Sequence, residues 1–337
     1  MNERTVKISV IIPAREAENI LPICLQAIGN SSDLPHEVIV VDDCSTDLTA
    51  AIGRSNGAKV LKTERHSGPA AARNIGARNA SGDILLFIDS DVVIRADTVK
   101  RVGSHFQADN CAAAFGSYDD EPAEQNFISQ YKNLQHHFVH QTANRDAATF
   151  WAGCGAIRRE VFLEVGGFDE IRYPRPSIED IELGHRVRAQ GYRVVLDKEM
   201  CVKHLKKWTF RSHIRTEIIN RAIPWSKMIF DSGKMIHDLN LTVSHRVSAA
   251  LVYVLILCIP LLAFDYWFLL PMFLSFIGIL LLNLPLYRFF WKHRGLGFAL
   301  KSLPMHLLHY TYSAAAFVLC WTNCSLRRVR SRVALIP

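Results

Sequence analysis

Short apolar runs at residues 8–12, 38–41, 59–61 and 84–88 punctuate the first hundred residues of this chain. A strand that is apolar on both faces has to be covered on both faces, which places such runs inside a sheet flanked by helices. Stretches with helical spacing fall between them, at 20–28, 48–55 and 70–79. This alternation specifies an α/β fold with a doubly wound, mostly parallel sheet. A polar cluster follows three of the runs, at 13–16, 42–47 and 89–91. Ligands of open parallel sheets bind outside the carboxyl ends of the strands, so these three loops are expected to converge on one crevice.

The apolar residues of the 337-residue chain, 49% of the total, are unevenly spread. Residues 247–264 carry no charge, and after Asp265 a second uncharged run covers 266–287. Each is long enough to cross a bilayer or nearly so, and two transmembrane helices are expected. A third uncharged stretch, 302–325, has Pro304, His306 and His309 in its first half. It is expected to span, re-enter or lie in the interface. Arg288, Lys292, His293 and Arg294 follow the second run. By the positive-inside bias they are cytoplasmic, and with them the N-terminal part of a multi-pass membrane protein (of the inner membrane, in a bacterium). The basic tail of Arg327, Arg328, Arg330 and Arg332 prefers the same side.

The net charge of +7 draws on these flanks and on Lys203, Lys206, Lys207, Arg211 and Arg215. Without a nucleic-acid motif it implies anionic lipid headgroups as partner and no nucleic acid. Residues 1–7 are polar and do not resemble a signal peptide. The eight cysteines form no Cys-x-x-Cys pair, so neither zinc nor a disulfide framework is expected, and a reducing cytoplasm fits. The expected organisation is a catalytic domain over 1–210, an amphipathic interfacial segment over 211–246, and a membrane region over 247–337 with two to three hydrophobic helices.

Asp89-Ser90-Asp91 directly follows the apolar run 84–88. By composition this is also a turn. At the carboxyl edge of a sheet it presents hard, anionic oxygens suited to Mg²⁺ or Mn²⁺ carrying a phosphate, which points to a nucleotide diphosphate. Pro13 fixes the exit of the first strand, and Glu16 can hydrogen-bond a base or ribose. Asp43 can accept from a pyrimidine imide or a ribose hydroxyl, while Ser45, Thr46 or Asp47 caps the next helix. Residues 66–74 open a helix of small residues whose close approach to the sheet lets Arg73 face the base or the diphosphate.

In order and spacing, the segments 8–16, 41–47, 66–74 and 80–91 resemble glycosyltransferase family 2, the large inverting GT-A family, over roughly residues 6–225. The resemblance implies a GT-A fold, Rossmann-like, followed by interfacial and transmembrane helices. It implies that Pro13, Arg15, Glu16, Asp43 and Arg73 line the nucleotide pocket and that Asp89 and Asp91 bracket the diphosphate and the metal. Cys44 stands where the family usually has glycine. The glycine-rich stretches 151–160 and 165–169 imply a wall near the sugar, with Gly153 and Cys154 closest to it. Inverting transfer needs a carboxylate to take the proton of the attacking hydroxyl. In the Glu-Asp pair the resemblance gives that role to Asp180, with Glu179 in support and Glu182 structural. His204 is implied near metal and phosphates. Residues 220–225 resemble, without matching, the Gln-x-x-Arg-Trp motif of processive members. This places Arg221 and Trp225 at the substrate and argues against a polymer synthase.

The function implied is membrane-bound inverting glycosyl transfer from a UDP- or GDP-sugar to a lipid or polyprenyl-linked acceptor at the cytoplasmic face. A polyprenyl-phosphate sugar synthase is an alternative whose attacking phosphate needs no general base. A non-catalytic sugar-nucleotide-binding scaffold would have no chemical need for Asp89, Asp91 and Asp180 together. A nucleotidyltransferase lacks the expected Gly-rich, basic phosphate loop after the first strand.

Overall fold

The computed structural model describes residues 6–107, 111–233 and 242–333, with side chains to residue 325. The start of the polar segment 1–7, residues 234–241 of the interfacial segment and the arginine side chains of the tail lie outside the described residues. The chain divides into two compact units, Met1–Trp208 and Thr209–Pro337.

The first unit alternates strands and helices: β1 (Ile8–Ala14), α1 (Leu21–Gly29), β2 (Glu37–Asp42), α2 (Thr49–Ser55), β3 (Lys59–Lys62), α3 (Gly68–Arg78) and β4 (Ile84–Ile88). There follow β5 (Val92–Val93), α4 (Thr98–Phe106), β6 (Ala113–Tyr118), α5 (Phe127–Thr142), β7 (Asp146–Ala147), β8 (Cys154–Arg158), α6 (Arg159–Glu164), α7 (Glu179–Ala189) and β9 (Val194–His204). The strands form one sheet in the order β3-β2-β1-β4-β8-β6-β9-β5, with β7 also on β9. The first four are parallel, β8 runs antiparallel to both β4 and β6, and β9 is parallel to β6.

All five residues of β4 are buried, as expected for a strand covered on both faces. Its alternate residues belong to two cores: Ile84, Leu86 and Ile88 to one, Leu85 and Phe87 to the other. Helix α3 lies close on the sheet because a Cβ on Gly76 would come within 2.4 Å of Ile11 Cγ2. Strand β9 is a single long strand, with an irregularity absorbed opposite Phe115 and Ser117.

Chain order leaves β1 for β2 on one side and returns to β4 on the other. The carboxyl ends of β2, β1 and β4 therefore meet at a topological switch point, where a crevice opens.

The second unit is helical: α8 (Phe210–Arg215), a π-helix (Thr216–Ala222), α9 (Ile223–Ser232), α10 (Val243–Leu261), a 3-10 turn (Tyr266–Phe268), α11 (Leu269–Leu282), α12 (Leu284–Arg294) and α13 (Leu296–Val333). Among the described residues one helix, α10, is long and apolar enough to cross a membrane. The run 266–287, expected as one straight span, bends by 63° between its two helical halves. Pro285 accounts for the break, since it lacks an amide donor and sits in the first turn of α12. Arg288, Lys292, His293 and Arg294 lie in α12, not in a loop. The stretch 302–325 lies within one continuous helix, which passes through Pro304.

Candidate active site

Arg73 organises the crevice. It projects from α3 with only 5% of its surface exposed and bridges two carboxylates. One terminal nitrogen donates to Asp89 Oδ1 at 2.6 Å, the other to Glu179 Oε1 at 2.9 Å. Its guanidinium also lies over the Phe168 ring, 5.5 Å from the centroid. Arg73, expected to face a base or diphosphate, holds a protein carboxylate with each terminal nitrogen, because a buried guanidinium needs charge partners.

Asp180 follows Glu179 in the first turn of α7 and is half-buried. Its Oδ2 accepts from the Ala152 N–H at 3.1 Å and its Oδ1 from its neighbour Ile181 N–H at 2.8 Å. Burial first, and then the adjacent Glu179 charge, push its pKa up to about 6 against the pull of Arg73 and the two N–H groups. Such a carboxylate is ionised at neutral pH yet basic enough to accept a proton.

Asp89 and Asp91 are both half-buried. Burial raises Asp89 above the usual carboxylate range, with Arg73 opposing. Burial acts on Asp91 in the same direction, but the hydrogen bond and charge of His204 and the charge of Lys206 outweigh it and hold Asp91 low. His204 Nε2 stands 3.5 Å from Asp91 Oδ2. An ionised carboxylate beside an imidazole suits Mn²⁺ or, less completely, Mg²⁺. Asp89, Asp91 and His204 are not gathered into one three-donor group among the described residues, since Arg73 holds Asp89 Oδ1. The expected triad is thus a pair, with Asp89 beside it.

The other expected residues divide. Glu16, in the left-handed region at φ 48°, holds the following loop through the Thr46 N–H at 3.0 Å. Pro13 is half-buried at the end of β1, and Arg15 is exposed beside it. Asp43 is buried, and its two oxygens take four donors: the Ser67 and Gly68 N–H groups, Thr63 and His66. Burial opposes but does not outweigh these donors, which hold its pKa low. Asp43 therefore shapes the entry to α3. Cys44 has φ 61°, which explains why glycine suits that place.

The Cys154 side chain faces the core. It lies inside β8, opposite Ile88, fully buried among core residues, and burial pushes its thiol up to about 12. Gly153 remains at the site through its carbonyl, which accepts from the Asp89 N–H at 3.2 Å. Arg221 and Trp225 belong to the second unit.

Three contributors had gone unassigned. Asn74 clasps the turn at Phe168, accepting from its N–H at 2.9 Å and donating to its carbonyl at 2.8 Å. Gly184 lets α7 press on the chain before β8, since a Cβ there would lie 2.3 Å from Phe150 N. Tyr118 stacks on His204 with centroids 4.3 Å apart and meets Trp151 edge-on at 4.8 Å. Only Gly184 left a sequence signal, as a glycine inside a helical pattern.

The family model described as "Glycosyl transferase family 2" matches residues 9–166. An uncharacterized glycosyltransferase of Haemophilus influenzae is 32% identical over 231 residues, an alignment covering 63% of this chain and 72% of the relative. The chain belongs to glycosyl transferase family 2. It is a glycosyltransferase. A second uncharacterized glycosyltransferase of the same organism is 28% identical over 211 residues, covering 61% of this chain and 76% of its own. Among solved structures, the mannosyltransferase PcManGT from Pyrobaculum calidifontis, in complex with GDP-Man and Mn²⁺, has a TM-score of 0.56 at 16% identity. The match covers 93% of the glycosyltransferase described here and 87% of PcManGT, and at that identity it speaks to the fold. The fold is GT-A-like.

Proposed function

We propose that this glycosyltransferase inverts: a sugar passes from a nucleotide diphosphate to a lipid or lipid-linked acceptor, at the cytoplasmic face of a membrane that holds the second unit. The observation that carries the reading is Asp180. It is a carboxylate with a pKa near 6, fixed by two N–H groups and tied through Glu179 and Arg73 to the Asp89-Ser90-Asp91 turn.

Asp180 takes the proton of the acceptor hydroxyl as the oxygen attacks the anomeric carbon, and the glycosidic bond to the nucleotide diphosphate breaks on the opposite face. Arg73 and Glu179 hold Asp180 and Asp89 in a common frame, so that base and diphosphate site keep their separation. Asp91 and His204, with Asp89 beside them, would hold a divalent cation. Bound there, Mg²⁺ or Mn²⁺ would stabilise charge on the departing diphosphate. GDP-Man and Mn²⁺ in PcManGT support a nucleotide-sugar donor and such a cation.

Membrane attachment rests on the surface of the second unit. Leu257, Phe264, Trp267, Phe273 and Leu274 are all more than half exposed, far more apolar surface than a soluble domain leaves in water. Asp265 caps the turn that carries Tyr266 and Trp267, an aromatic pair suited to a membrane interface.

The test is purified protein in lipid nanodiscs, screened against UDP- and GDP-sugars with Mg²⁺ or Mn²⁺. Donor consumption and transfer into extracted lipids are the readouts. Transfer that disappears in Asp180→Asn supports a hydroxyl acceptor; near-full transfer in that variant would show that the attacking group needs no base, as a phosphate acceptor does.

A further inference from the structure

Tyr118 ends β6 with its ring against His204, the imidazole that stands beside Asp91. The sheet brings the two rings together by an irregularity. Along β9, Val194 and Leu196 belong to one core and Met200 and Val202 to the other, so the strand exchanges faces between them. At that point the two-residue step from Phe115 to Ser117 faces a five-residue step from Leu196 to Cys201, and an odd excess turns the alternation over. Beyond it Tyr118 pairs with Val202, and His204 follows Val202 on the same face. Gly116 permits the close approach of the strands, because a Cβ there would run into the Met200 carbonyl.

We propose that Tyr118 is a positioning residue of the cation site: its ring fixes the plane of the His204 imidazole, keeps Nε2 turned toward Asp91, and so raises the affinity for Mn²⁺ more than that for Mg²⁺. This rests on the reading that Asp91 and His204 hold the cation. The main chain places His204 but does not set the rotation of its ring: Val92 pairs with His204, and the Leu205 N–H donates to the Asp91 carbonyl at 2.8 Å. The Tyr118 ring lies on the imidazole with centroids 4.3 Å apart and 13° between the planes, a contact that constrains that rotation. Tyr118 is held in turn. Trp151 meets it at 4.8 Å and 82°, and His136 lies 4.4 Å away at 43°. The Trp151 ring covers Gly153, where a Cβ would strike it. The Gly153 carbonyl accepts from the Asp89 N–H, and the Ala152 N–H donates to Asp180. One aromatic wedge therefore ties the cation side of the crevice to the base side. Groups that orient a metal-binding imidazole are worth about 10–100-fold in metal affinity. Mn²⁺, a transition metal, gains more from an imidazole than Mg²⁺, which takes oxygen ligands in a strict octahedron.

The test is Mn²⁺ binding by the full chain in phosphatidylcholine nanodiscs, with the metal alone as probe. Free Mn²⁺ is counted by electron paramagnetic resonance, Mg²⁺ is measured by competition, and the electron spin echo coupling to imidazole nitrogen reports the His204 ligand. Tyr118→Leu is expected to weaken Mn²⁺ binding about tenfold and to lose the nitrogen coupling, with a smaller loss for Mg²⁺. Tyr118→Phe keeps the ring and is expected to retain both affinity and coupling. Tyr118→Met, a more adaptable side chain, carries the same expectation should the leucine variant fail to fold. Unchanged Mn²⁺ affinity and nitrogen coupling in a folded Tyr118→Leu, or equal losses of the two metals, overturns the proposal and leaves the cation reading standing. Absent Mn²⁺ binding or absent nitrogen coupling in the parent, or binding unchanged by His204→Ala and by Asp91→Asn, overturns the cation reading and the proposal with it.

Discussion

At Asp180, burial and Glu179 act together against Arg73 and two N–H donors, and the balance sets the pKa near 6. Below that pH the group holds a proton and cannot take another. The expected profile of kcat/KM therefore rises with pH through an apparent pKa near 6 and then levels, and Asp180→Asn loses about 10²–10⁴-fold in transfer. Steady-state rates from about pH 5 to about pH 8 decide this; an acid limb that survives in Asp180→Asn belongs to another group. The stability sign follows from the same shift. Folding raises the pKa above its ordinary value, so the folded state binds the proton more tightly, and this group's contribution to stability falls as pH rises from the usual carboxylate range to about 6. Arg73 is the opposite case, because its removal leaves Glu179 buried without its cation. Arg73→Met is expected to lose about 3–5 kcal/mol, measured as a lower urea midpoint. The sequence brought Arg73, Asp89 and Glu179 to notice but did not show that they join, since Glu179 arrives at the start of α7, more than a hundred residues after Arg73.

Elements decide how firmly those residues are held. The strands β1, β2 and β4 and the polar turns behind them were legible, because full burial writes itself as apolar runs and the parallel order then brings their ends together. Strand β8 was not: Gly153 and Gly155 read as a turn, whereas the small residues admit Trp151 and Phe150 against an antiparallel strand. Helix α7 shows what close packing does for the site. Gly184 follows Asp180 by one helical turn, and only the absence of a Cβ lets that face approach Phe150 closely enough for the Ala152 N–H to reach Asp180. Gly184→Ala pushes the helix outward. We expect a loss of about 1–3 kcal/mol in stability. The acid limb should also shift, because the base loses a hydrogen bond; an unchanged pH profile in a folded variant would mean that α7 does not position Asp180. Gly68 has a related task at φ 85°, where a Cβ would meet the Pro174 carbonyl at 2.4 Å. Gly68→Ala is expected to lower transfer with little change in α3, seen as reduced kcat/KM with the circular dichroism of the parent.

Over the whole molecule, the two units treat their apolar residues differently. The first hides its apolar residues in a doubly covered sheet, while the second leaves them on its outer face. The chain is expected to stay with membranes through washes at high salt and high pH, because apolar contact is not screened, and to be released by detergent alone. Release by salt would make the attachment electrostatic. Composition gave the apolar runs, but not the 63° bend, which Pro285 within the second run marks, or the joining of 296–333 into one helix through Pro304. The placement of β9 has one further consequence. It pairs with β5, β6 and β7, so the sheet closes only once His204 has been synthesised, and α10 begins at Val243. At about 5–20 residues per second, roughly 2–8 s separate the two on the ribosome. The catalytic unit can therefore finish folding before the first long apolar helix among the described residues is made.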